Sequence, residues 1–147
     1  MKINIFMLIG LGVLALAVLF GLIQFVPYGR DHTNPPVVKE PNWDSPRTRQ
    51  LAVRACFDCH SNESVWPTYS NIAPISWLVQ RDVNEGRRRL NFSNWRGVRE
   101  VDELSRTVLN GDMPPGIYLL EHPSAKLTAQ ERQELASGLV ATARNSQ

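Results

Sequence analysis

Polar and apolar positions divide this chain sharply. From Ile3 to Gly29 there is no charged residue, and Ile5 to Ile23 is a run of 19 residues without one polar side chain. A helix of that length, rising 1.5 Å per residue, spans a bilayer core of ~30 Å. A cleaved leader would have a shorter apolar core ending in small residues. The one Ala-x-Ala here, Ala15 to Ala17, falls in mid-run. The pattern therefore predicts an uncleaved membrane anchor over 1–29. Lys2 and the amino terminus favour the cytoplasmic side, which puts the rest of the chain outside. A Pro-rich segment follows over 30–42, with Pro35, Pro36 and Pro41 among polar and charged residues, and reads as an extended tether. His32 in this tether reads as solvated.

Beyond it, 43–147 shows helical spacing and no sustained strand alternation. Ser45-Pro46 is a helix start, with Ser45 as cap and Pro46 at the first helical position. Leu51, Ala52, Ala55 and Cys56 continue its face. A second helix is expected from about Pro74 to Arg89, on Ile75, Leu78, Val79 and Val83. A third is expected after Ser93 or Asn94, with Val98, Val101, Leu104 and Val108 as its stripe and Asn110-Gly111 as its stop. The last opens on the capping box Thr128 to Glu131 and runs through Leu135, Leu139 and Ala143. The fold expected is all-α: a small helical domain, preceded by a single transmembrane helix.

The helices frame Cys56-Phe57-Asp58-Cys59-His60. Two thiols three positions apart, with an imidazole directly after the second, is the spacing for covalent attachment of one haem c. Each thiol can add to a vinyl group, and His60 can hold the iron as proximal ligand. A thioredoxin-like redox pair would need a βαβ context, and a zinc site a second Cys or His pair. The chain offers neither pattern. Both cysteines of the chain lie in the motif.

A low-spin iron needs a second ligand. Met113 is the one methionine outside the N-terminal segment. It follows a helix stop and precedes Pro114-Pro115, which stiffen its loop. His122, before Pro123, is the competing ligand. His32 and Lys39 lie in or beside the tether, where fixing them costs chain entropy. Lys126 would have to lose its proton first. Met113 ranks first and His122 second.

Composition adds little beyond exclusions. A net charge of +2 with no long run of one sign gives no call for nucleic acid. No phosphate loop, paired carboxylates or Ser/His/Asp set is visible. Arg87-Arg88-Arg89 reads as a solvated helix end, with pairing to haem propionates or an anionic partner as the functional alternative. Asn62-Glu63-Ser64 and Asn91-Phe92-Ser93 match the glycosylation triplet, which is frequent by chance.

The run Cys56 to His60, then Tyr69 to Trp77, Asn91 to Trp95, Gly111 to Pro115, and His122-Pro123 with Leu127-Thr128, resembles the bacterial haem-binding domain family of small membrane-anchored c-type cytochromes. More distantly the chain is similar to class I cytochromes c, which implies a cytochrome c-like small helical domain around one covalent haem. That likeness implies a proline carbonyl accepting a hydrogen bond from the proximal histidine, and Pro74 is the candidate. The expectation is an electron carrier rather than an enzyme, held in the inner membrane with its domain facing the periplasm. Its redox protein partner is not named by the sequence. The alternatives are a haem sensor or peroxidase-like protein with an open iron site, and a haem-bearing subunit of a larger redox complex.

Overall fold

The computed structural model describes residues 4–146. Met1 and Lys2, on which the orientation of the N-terminal segment was argued, lie outside them. The described residues are helical, with no strand among them and a single isolated bridge between Lys39 and Asn94.

The chain divides into two compact units, each made of two stretches. The first is Met1–His32 with Trp66–Asp82. Its long element is α1, Ile5–Ile23, which is apolar on every face and exposed along its length. Asn4 caps it by accepting from the Phe6 amide at 3.1 Å. Gln24, just past its end, clamps the backbone at Ala73: its amide nitrogen donates to the Ala73 carbonyl at 2.9 Å, and its amide oxygen accepts from the Ala73 N–H at 3.0 Å. Gly29, at φ +86°, lies so close to the Ser76 backbone that a Cβ there would be 2.6 Å from its carbonyl carbon. A positive φ and that approach both require glycine. His32 is not solvated. Its ring stacks on Trp66 at 4.6 Å, and Nε2 lies 3.1 Å from both the Ser70 carbonyl and the Ser70 hydroxyl.

The second unit is Thr33–Val65 with Val83–Gln147. It holds α2, Pro46–Ala55, then α3, Phe57–His60. Helix α4, Ile75–Arg89, begins in the first unit and ends in the second. Helices α5, Val101–Asn110, α6, Gly116–Glu121, and α7, Ala129–Asn145, complete it. Ser45 accepts from the Thr48 amide at 3.2 Å, so the Ser-Pro start forms as its chemistry dictates. The Thr128–Glu131 box closes with both bonds, at 3.0 and 3.1 Å. Gly111, at φ +78°, ends α5 in the left-handed conformation.

Leu51, Phe57, Phe92, Leu135 and Leu139 are the heart of the core, and α7 packs on α5 and α2. A Cβ on Gly138 would meet the Thr48 side chain, with Cγ2 at 2.8 Å, so α2 and α7 touch through a missing methyl. The third helix starts later than its apolar stripe suggests. Trp95 is buried and its amide donates to the Lys39 carbonyl at 2.9 Å, while Gly97 takes φ +82°. Both commit 94–100 to an irregular path before α5 begins.

The proline-rich segment is extended, and in this unit it is fastened along its length. The Asn34 amide donates to the Ser64 carbonyl at 2.9 Å, Asn62 donates to the Pro36 carbonyl at 2.9 Å, and the Val38 amide donates to the Ser93 carbonyl at 2.8 Å. The sequence offered no partner for these groups, because all of them lie far along the chain.

Candidate functional site

The five-residue motif begins where α2 ends. The Cys56 amide still donates to Ala52, and the Cys56 carbonyl accepts from His60 at 2.8 Å. That one turn of α3 brings Cys56, Cys59 and His60 together. Neither cysteine is in a disulfide, and both are half-buried. Burial first, then the neighbouring Cys59, pushes the Cys56 thiol up to about 12, so it is neutral near pH 7.

His60 Nδ1 lies 3.0 Å from the Leu90 carbonyl oxygen. A carbonyl only accepts, so Nδ1 carries the proton and Nε2 keeps the lone pair that binds a metal. Burial lowers the pKa of His60 more than the Leu90 and Gly86 carbonyls raise it, which favours the neutral ring. The orienting carbonyl belongs to Leu90 and not to Pro74, whose own carbonyl accepts from the Trp77 and Leu78 amides at 3.1 and 3.4 Å. The correction has a physical reason. The end of α4 leaves its last carbonyls without helical partners, and Leu90 is the one turned to the imidazole.

One glycine sets this geometry. A Cβ on Gly86 would sit 2.9 Å from the Cys59 carbonyl carbon and 3.1 Å from its Cβ, as well as against the carbonyl oxygen. Helix α4 therefore lies directly on the motif backbone. The preceding Phe57 points the other way, into the core, stacked on Phe92 at 5.5 Å.

Arg87 is neither a solvated helix end nor a spare anion site. It donates to the Ser61 carbonyl at 2.7 Å, the Thr33 carbonyl at 2.9 Å, Asn34 Oδ1 at 2.8 Å and Ser64 Oγ at 3.0 Å. It is a clasp that ties the tether and the residues after the motif to α4. Arg88 and Arg89 pair with Glu85 at 3.0 and 3.1 Å. Asn62 and Asn91 are bonded to each other at 2.8 Å, so both triplets are used in the fold.

Asp58, the residue before Cys59, was not singled out from the sequence. Its Oδ1 accepts from the Val65 amide at 3.0 Å and its Oδ2 from the Tyr118 hydroxyl at 2.6 Å. Tyr118 in turn stacks on His122 at 4.2 Å. Met113 lies on the same connection, 38% exposed, with its amide on the Thr107 carbonyl at 3.3 Å. Nothing in the local sequence of Tyr118 marks this contact, because its partner lies 60 residues away.

The donor set fits a covalent haem: two cysteines outside any disulfide and a neutral imidazole with Nε2 as its basic nitrogen, with exposed apolar side chains on the two segments hydrogen-bonded to Asp58. Val65, bonded to Asp58, is 73% exposed, and Ile117 and Leu120, on the helix of Tyr118, are 62% and 77% exposed. Surface of that kind is available for an apolar macrocycle to cover. Among the described residues, no three of His, Cys, Asp or Glu gather into a metal-ion site of their own.

Against known proteins, residues 18–141 match the model of a family described as a haem-binding domain. No curated protein and no solved structure matches the chain.

Proposed function

The chain belongs to the haem-binding domain family, and on that premise we propose that it is a membrane-anchored c-type cytochrome that passes single electrons on the periplasmic side. In this reading Cys56 and Cys59 hold one haem by thioether bonds, His60 binds the iron through Nε2, and Met113 supplies the sixth ligand. The haem supplies an iron that gains and loses one electron. The protein's part is to orient and to exclude water. Leu90 fixes the imidazole, Gly86 lets α4 lie against the motif, and the aromatic core keeps Phe57 still.

The observation that carries this reading is the 3.0 Å contact of His60 Nδ1 with the Leu90 carbonyl, in the same turn as two cysteines outside any disulfide. It prepares Nε2 for iron before any cofactor arrives. Membrane anchoring is supported by α1, 19 apolar residues. The Gln24 clamp on Ala73 favours an uncleaved anchor, since cleavage near Tyr28 would discard it. Acid–acetone extraction and a pyridine haemochrome spectrum of the purified protein test attachment. Haem that stays with the protein, and is lost from the Cys56→Ala/Cys59→Ala double variant, is the expected result. Haem that extracts from the unaltered protein would overturn covalent attachment.

A second reading, a sensor or peroxidase-like protein with an open iron site, draws on the 38% exposure of Met113. A high-spin spectrum with ready uptake of carbon monoxide by the unaltered protein would favour it. With Met113 as ligand, Met113→Ala opens the site or lowers the reduction potential, and His122→Ala changes the spectrum little. The reverse pair of results would transfer the role to His122.

A further inference from the structure

We propose that Asp58 and Tyr118 are positioning residues for the iron site: their hydrogen bond holds the connection 112–122, which carries both candidate sixth ligands, against the attachment motif. This rests on the reading above, in which haem is bound at Cys56, Cys59 and His60 and takes a further ligand from the protein.

Within the motif, Phe57 is committed to the core and Asp58 has a different task. One carboxylate oxygen serves its own loop at Val65, and its carbonyl accepts from Ser64 Oγ at 2.6 Å. The other oxygen reaches across the sequence to Tyr118 at 2.6 Å. A phenol donating to a carboxylate is a charge-assisted bond, about twice as strong as a neutral one.

Helix α6 needs such an anchor. It has six residues, too few for a helix to persist alone, and none of them is buried. Ile117 and Leu120, three apart and thus on one face, are largely exposed. The segment is held at its start by the Asp112 and Met113 amides on the Thr107 carbonyl. Beyond that, Tyr118 ties its middle to Asp58. His122 is held through the same residue, by its ring on the Tyr118 ring and by its amide on the Tyr118 carbonyl at 3.0 Å. Whichever of Met113 and His122 binds the iron, Tyr118 stands between them in sequence and Asp58 stands next to a haem-bearing cysteine.

The test uses the full-length holoprotein with Tyr118→Phe and, from the other end of the bond, Asp58→Asn. Carbon monoxide binding to the ferrous form and hydrogen exchange of the amides in 113–121 are measured beside haem content and melting temperature. Haem content should be unchanged. Carbon monoxide association and exchange should each rise about tenfold in Tyr118→Phe, the factor that loss of one hydrogen bond to a charged acceptor represents, and by less in Asp58→Asn, which keeps a neutral partner for the hydroxyl. Adding Asp58→Asn to Tyr118→Phe should raise carbon monoxide association and 113–121 exchange no further than Tyr118→Phe alone, because the hydroxyl that Asp58 accepts from is already gone. A lowered melting temperature with an unchanged carbon monoxide rate would overturn the proposal and leave a purely structural bond. Additive effects in the double variant would also overturn it. Met113→Ala and His122→Ala are run in parallel. If one of them opens the site and Tyr118→Phe does not, this inference fails and the ligand reading stands. If neither changes the rate, the ligand reading itself fails and takes the inference with it.

Discussion

At the scale of single residues, the decisive positions are those where an atom is missing or already engaged. Gly86 is the clearest. Its Cα–H faces the Cys59 backbone, and a methyl group there has nowhere to go, because the opposing atoms are main chain rather than a flexible tip. Gly86→Ala should destabilise the holoprotein by about 1–3 kcal/mol, the usual cost of overpacking, although alanine is the better helix former. Thermal melting measures this. A melting temperature equal to or above that of the unaltered protein would show that α4 is free to move off the motif. The same contact explains why Leu90, four residues on, delivers its carbonyl to His60. In the sequence, Cys56, Cys59 and His60 stand out as candidates because their spacing is that of a known attachment chemistry. The orienting carbonyl was not, since every residue has one and only packing selects among them.

At the scale of elements, helix ends do most of the fastening. Glu131 sits at the third position of α7, where it accepts from the Thr128 amide and pairs with Arg54 at 2.8 Å. The Thr128 amide first, then Arg54, lower its carboxyl pKa from 4.5 to about 2. A depressed carboxylate adds stability above its unfolded value and loses it as pH falls through the folded one. The melting temperature of Glu131→Gln should therefore lie below that of the unaltered protein at pH 5 to 7, and the gap should close as pH falls from 4.5 toward 2. A gap that persists at pH 2 would mean that the loss is one of packing. The other end to watch is that of α4. Arg87 gives its donors to four acceptors from Thr33 to Ser64. Arg87→Lys keeps the charge but not the planar fork. It should loosen 33–36, seen as faster amide exchange there, whereas exchange in α7 stays as it was.

At the scale of the whole molecule, the division into units cuts across the order of the chain. The segment read as a tether belongs in part to each unit, with the break between His32 and Thr33. Helix α1 has no buried residue and no charge, so water is a poor solvent for it. The protein should remain in the membrane pellet after a carbonate wash. A soluble mature form beginning near Tyr28 would identify the segment as a leader instead. Asn4, Gln24 and Gly29 close this region by side-chain and backbone fit, which an exchangeable apolar leader does not need.

What the sequence determined by itself was what local chemistry controls. Apolar length predicts the long N-terminal helix, Ser45-Pro46 and Thr128 to Glu131 start helices, Gly111 ends one, and the Cys-x-x-Cys-His spacing marks the proposed haem site. Each of these is complete within a few consecutive residues. Tertiary structure alone decided which carbonyl faces His60, what Arg87 holds, where α5 begins, and that Asp58 meets Tyr118. In each case the partner lies tens of residues away, and a hydrogen bond or a steric fit between distant groups leaves no periodicity or spacing for the sequence to display.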